Sequence, residues 1–381
     1  MGVQKNIIPC ILALTVLVAC KEKYEPPVVK TDQNLLVVDG FLNNSSDTTT
    51  IRLSRTRKLA DGPANSAEKN SQVMLEDESG VAIYNFQETD NGNYIVPGLS
   101  LDNNKKYKLR INTADGKQYV SDEIVAKPTP PIDSITWKIQ NNALVIFVNT
   151  HDPENETRYY RWEYTDTWQY HSLYYSYLRY QDSGMILYRN PDEFIYECWT
   201  TRNSTALLLG SSARLTDDVI YMSPLRSIPV NSIELQVKYS ILVRQFALSK
   251  EEYDYLQNLK KITEQLGSIF DAQPSQLTGN IHSVTDPAET VLGFISASSV
   301  NEKRIFITNE EVRPWDFHYH CSDKIIVPFD SLVEHFGDFL LLPVSEAFGP
   351  TGRPIGYTGG TADCVDCRLS GGVTKKPDFW P

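Results

Sequence analysis

Apolar and polar residues alternate with a period of two over much of this chain, the mark of strands with one buried face. Leu35–Phe41 is a run of buried type. Ile51 and Leu53 alternate with polar neighbours, and Val73, Leu75, Ile83 and Phe86 continue the pattern. Tyr94-Ile95-Val96 follows the turn signal Asn91-Gly92, and Tyr107, Leu109 and Ile111 share a face before the hairpin signal Asp115-Gly116. These short strands predict a small β-sandwich over residues 34–127. Lys127-Pro128-Thr129-Pro130-Pro131 then breaks the pattern, because prolines cannot donate to a ladder and stiffen the connection. A second β region begins at Ile132. It includes Leu144–Val148, a strand from Arg158 with Tyr160, Trp162 and Tyr164 on one face, and a long strand over 232–248.

At residue 249 the period changes. Ser249-Lys-Glu-Glu252 is a capping box, and Tyr253, Leu256, Leu259 or Ile262, and Leu266 form a helical stripe before Gly267. Val291–Ala297 and Arg304–Thr308 return to strand, and from 310 the chain is rich in glycine and loops. The predicted fold is mainly β. It has two β-sandwich domains, 34–127 and 132–309, the second carrying one amphipathic helix at 249–266. A loop-rich, Cys-containing extension, 310–381, packs on the second domain, with Phe379 and Trp380 as plugs into a groove.

The first twenty residues carry a different signal. Ile7–Ala19 is almost wholly apolar and follows a short segment with one cation. It ends Leu17-Val18-Ala19-Cys20 and turns polar at Lys21-Glu22-Lys23. Residues 1–19 read as a signal peptide and Cys20 as a lipobox cysteine. Its thiol can take a thioether-linked diacylglycerol, and two or more acyl chains anchor a protein stably to lipid. The apolar run is short for a ~30 Å hydrocarbon core. Residues 20–33, with Pro26 and Pro27, form the lipidated Cys and a tether.

Charge narrows the partners. With 48 Asp and Glu against 36 Lys and Arg, the net charge of −12 argues against nucleic acid and anionic lipid surfaces. Of six cysteines, Cys10 leaves with the signal and Cys20 is the lipid site. Cys198, Cys321, Cys364 and Cys367 remain for two disulfides in an oxidising compartment, with three pairings open. His318-Tyr-His320-Cys321 with Cys364-Val-Asp-Cys367 could hold zinc, but a lone Cys-x-x-Cys is weak and export favours disulfides, so no metal is expected.

Nine of the 21 tyrosines fall within 159–188. From Trp168 to Tyr180 the alternation breaks, and the adjacent Tyr174 and Tyr175 cannot share a face. Trp168, Tyr170, Tyr174, Tyr175, Tyr177 and Tyr180 are therefore candidates for an exposed ligand- or partner-binding loop. No Gly-x-Ser-x-Gly, His-Glu-x-x-His or phosphate-cradling loop is present. His151-Asp152, and Glu163 near Asp166, read as solvated loop charges. No catalytic residue, cofactor or enzymatic activity is expected.

The strand order of 34–127 resembles transthyretin-like and carboxypeptidase-regulatory-like sandwiches, within a broadly Ig-like architecture. Over nearly the whole mature chain there is a wider likeness. It is carried by Tyr239-Ser-Ile-Leu-Val-Arg-Gln-Phe-Ala-Leu-Ser249, Leu266-Gly-Ser-Ile-Phe-Asp271 and Gly279-Asn-Ile281, with Val38-Asp-Gly40, Arg161-Trp-Glu-Tyr164, Cys198-Trp199, Leu292-Gly-Phe294 and the closing Lys-Pro-Asp-Phe-Trp. Together these resemble the Bacteroidota lipoprotein family filed as domain of unknown function 4249. The resemblance implies a non-enzymatic lipoprotein held on outer-membrane lipid through acylated Cys20, at the cell surface. It also implies a role beside a TonB-dependent β-barrel transporter in nutrient uptake, as substrate capture or lid. It brings no functional residue. Asp47-Thr-Thr, Asp133-Ser-Ile and Asp330-Ser-Leu also look like the phylum's O-glycosylation sites. The alternative is a stand-alone adhesin or ligand-binding sandwich using the Trp168–Tyr180 aromatics; a secreted hydrolase ranks below both.

Overall fold

The computed structural model describes residues 34–381 apart from 58–65, 265–276, 278 and 316. The expected signal peptide, Cys20, the tether and the helix stop at Leu266-Gly267 lie outside the described residues. The fold is mainly β, with two β-sandwich domains. No described helix is long and apolar enough to cross a membrane.

The first sandwich is a twelve-stranded sheet folded round one core. Ile51, Leu53, Leu75, Tyr94, Leu109 and Ile111 alternate inward as period two requires. Its boundary differs from the sequence expectation, for residues 281–298 belong here and not to the second domain. Ile281–Ser283 pairs antiparallel with Gln118–Ser121, and Ala297-Ser298 pairs parallel with both Ile124–Lys127 and Leu42-Asn43. Val38 N–H donates to the Leu292 carbonyl at 2.8 Å, so the same returning segment holds both ends of the sheet path. The driving force is apolar. Ile281, Val291, Ile295 and Ala297 complete a core that 34–127 leaves open. Partly buried Glu289 latches the segment, accepting from Lys117 Nζ at 3.1 Å and the Tyr119 hydroxyl at 2.9 Å. A Cβ on Gly279 would lie 1.5 Å from the Gly293 carbonyl oxygen, so the backbones meet only because residue 279 is glycine.

The second sandwich packs two sheets face to face. One holds Ile132–Gln140, Ala143–His151 and Val219–Pro229. The other is built on Tyr159–His171, flanked by Glu197–Asn203 and Leu208–Ser211 on one side and by Lys238–Ala247, then Val300–Thr308, on the other. The long strand expected over 232–248 is shorter. Ser232 Oγ caps a single 3-10 turn, Ile233–Leu235, whose Leu235 fills the core, and the strand starts at Lys238.

The helix runs Lys250–Glu264 in the described residues. Its cap forms as the sequence predicts: Ser249 Oγ accepts from Glu252 N–H at 3.1 Å, and the Glu252 carboxylate turns back to the Ser249 backbone. Leu256 packs on Phe246 and Leu248.

The extension lies on the second sandwich. Disulfides Cys198–Cys367 and Cys321–Cys364 settle the open pairing and take up the sulfurs considered for zinc. A three-stranded sheet, Ile325–Pro328, Leu341–Phe348 and Pro354–Thr361, fills the chain loop closed by Cys321–Cys364. Trp380 is buried edge-on against Phe306, and Phe379 lies under the Arg304 guanidinium.

Candidate binding face

The six aromatics singled out from sequence divide into two sets. Trp168 and Tyr170 correct the expectation of an exposed loop. The strand reaches His171, and both rings point into the second core, 8% and 1% exposed. Arg202 covers the Trp168 ring, and the Tyr170 hydroxyl donates to the Cys367 carbonyl at 2.9 Å. Neither can meet a ligand.

The other four lie on the surface side. Ser176 is buried and donates to the Leu178 and Pro343 carbonyls, which fixes the loop after the strand. Tyr174 is partly buried, with Lys324 Nζ 5.3 Å from its ring centroid and its hydroxyl donating to the Ser322 carbonyl. Tyr175 is 50% exposed and stacks on Phe194 at 5.5 Å. It also meets Tyr196 edge-on at 5.1 Å, and Tyr196 stacks on His171 at 4.6 Å. The result is a row of four rings: His171, Tyr196, Tyr175 and Phe194. Ile195, between two of them, turns inward onto Val344 and Val365 in the short connection before the strand Glu197–Asn203, and leaves Phe194 and Tyr196 partly exposed.

The same surface continues beyond the row. Tyr177 stacks on Tyr188 at 5.9 Å, and Tyr180 packs beside Phe336 and Phe339. Met185, Tyr188, Phe329, Val333, Phe339 and Leu340 are each about half exposed or more. These exposed apolar side chains make this part of the surface a candidate interaction face. The sequence reading missed Phe194 and Tyr196, because Phe194-Ile195-Tyr196 is an unbroken apolar run with no alternation to separate its faces. Polar groups border the row: His171 Nε2 lies 3.2 Å from Glu197 Oε1, and Gln169 Nε2 donates to the same oxygen.

Asp166 is also a correction, since it is fully buried rather than a solvated loop charge. Arg202 Nη2 donates to Asp166 at 2.8 Å and to Glu234 at 2.6 Å. Arg226 contacts the same two carboxylates at 3.3 and 2.8 Å. Two cations and two anions thus bolt the facing sheets together. The nearby Tyr239 hydroxyl is pushed far above its ordinary value, by burial first and by Asp166 second. With every charge matched, the arrangement suits cohesion rather than chemistry on a substrate.

A family model, that of a domain of unknown function (DUF4249), matches residues 21–304. No curated protein matches the chain. Among solved structures, it is similar to a Bacteroides uniformis protein provisionally described as carbohydrate binding, at 10% identity and a TM-score of 0.15, over 57% of this chain and 91% of that one. It is also similar to a Corynebacterium diphtheriae protein provisionally described as membrane anchored, at 11% identity and a TM-score of 0.17, over 56% of this chain and 55% of that one. At such scores neither likeness bears on ligand or partner.

Proposed function

Since this chain belongs to the family of the domain of unknown function DUF4249, we propose that it is a non-enzymatic lipoprotein of the outer-membrane surface that docks on a TonB-dependent transporter. Acylated Cys20 holds it to lipid, and the aromatic face of the second sandwich and its extension makes the contact. The observation that carries this reading is the ring row His171–Tyr196–Tyr175–Phe194, partly exposed and half-exposed at Tyr175, on the same domain as the exposed apolar residues Val333 and Leu340. Rings of this kind bring large, rigid contact area at small entropic loss. The lobe rests on two disulfides, so little ordering is needed on docking.

The test is recovery of the partner. Native protein extracted from outer membranes should bring down a large β-barrel, and Tyr175→Ala with Tyr196→Ala should lower that recovery at least about tenfold, given the weight of central aromatic anchors. Repeated recovery of the protein alone would count against the reading. So would an unmodified amino terminus on the mature protein by mass spectrometry.

A second reading has its own support. Glu197 and Gln169 border the rings with polar groups, as in pockets that orient a small ligand. Direct ligand capture by the same face, as adhesin or binding module, would then leave barrel recovery unchanged by the tyrosine substitutions and abolish retention of the ligand instead.

A further inference from the structure

A second concave site lies across the molecule, where the helix meets the first sandwich. Between the first turns of Lys250–Glu264 and the strand Ile124–Lys127 there is a cavity of about 660 Å³. That size is in the range of small-molecule sites. Residues 294–297 of the returning segment form one wall, and the rings of Tyr255 and Phe294 meet there at 5.4 Å.

The charges around this cavity are uneven. Asp122, Glu123, Glu251, Glu252 and Asp254 line it, against Lys127 alone. Three of these carboxylates are matched at the rim: Asp122 by His282 at 3.0 Å, Glu123 by Lys106 at 2.7 Å and Asp254 by Lys250 at 2.7 Å. Glu252 is different. It is 6% exposed, and its Oε1 accepts from the Ser296 hydroxyl at 2.7 Å. No cation among the described residues forms a direct ion pair with it; Arg161 and Lys127 act on it only from beyond contact distance. A carboxylate at this depth has lost its water, and one hydroxyl with a backbone contact restores only part of that loss. Burial accordingly pushes the Glu252 carboxyl above its ordinary value. Helix capping accounts for the contact with Ser249. It does not account for an open, aromatic-walled cavity in front of the same carboxylate.

We propose that this cavity binds a small organic cation, a primary ammonium on an aromatic or aliphatic body. The ammonium sits at Glu252 and the body lies against Tyr255 and Phe294. The ammonium supplies the direct partner that the more distant Arg161 and Lys127 do not, and the ring faces attract the cation as well as burying its apolar part. The acidic rim raises the local concentration of cations. The proposal stands apart from the docking face, which shares none of these residues.

The experiment is calorimetric titration of the full mature chain with phenethylamine and with its neutral isostere, phenethyl alcohol. Phenethylamine is expected to bind and to weaken with added salt, while the alcohol binds at least about tenfold less well, a difference of about 1.4 kcal/mol. Glu252→Gln should lose about tenfold in affinity for the amine, whereas Asp254→Asn at the screened rim should lose less than about threefold. Equal binding of alcohol and amine would overturn the proposal. So would undiminished amine binding by Glu252→Gln, or no binding of phenethylamine at millimolar concentration. The comparison of amine with alcohol uses the native protein, so it decides the matter even if the variant fails to fold.

Discussion

Gln245 shows how much one side chain can hold. It is wholly buried, its Nε2 donates to the Pro130 carbonyl and to Thr150 Oγ1, and its Oε1 accepts from Trp162 Nε1. It therefore joins the proline linker, both sheets and the largest ring of the second core. Gln245→Leu leaves a carbonyl and an indole N–H buried without partners, and should destabilise the protein by about 2–4 kcal/mol. Urea midpoints of the two proteins measure it. At this scale the sequence is readable where contacts are local. Tyr160 and Trp162 announce their burial by alternation alone. The reading stops at Asp166, whose charge looks like a loop. Its partners Arg202 and Arg226 lie 36 and 60 residues further on, and nothing near Asp166 in the chain reveals that its charge is matched. Trp168 and Tyr170 were misplaced for the same reason, since the strand appeared to end too soon.

Among the elements, the helix is the most legible. Its cap and its stripe are encoded within a few residues, and both form. Its first turn also gives it a pH dependence. Burial raises the folded-state pKa of Glu252 above the carboxyl's ordinary 4.5, outweighing the Ser296 hydrogen bond. The folded protein then holds this proton more tightly than the unfolded chain does. This contribution to stability is fully present below the ordinary value and is lost as pH rises through the elevated one. Glu252→Gln has no such proton to lose, so its stability should change less across that window. Denaturant midpoints from about pH 4 to pH 8 test this, and identical slopes for the two proteins would refute the assignment. The aromatic face was partly legible. Tyr174 and Tyr175 gave themselves away as neighbours that cannot share a strand face. Phe194 and Tyr196 join them only through tertiary packing.

For the molecule as a whole, the decisive feature is that the first sandwich is discontinuous in sequence. Residues 34–127 supply most of its strands, but 281–298 supply the closure. The strands on either side of the proline linker belong to different sheets; what the linker could not show is that the chain comes back across it. A fragment limited to 34–127 lacks Ile281, Val291, Ile295 and Ala297 and leaves sheet edges unpaired. It should show no cooperative thermal transition, whereas the full chain should. Calorimetry of both decides this, and a sharp transition in the fragment would contradict the closure.

The returning segment also sets a timetable. As an exported polypeptide emerges from its membrane channel amino end first, the residues up to 127 can collapse but cannot finish. Their last strands are still unmade until residue 298 appears. During that wait most strands of the second sandwich are made beside an unfinished, sticky neighbour. A cell exporting this protein has reason to keep a holding chaperone on the emerging chain through that interval.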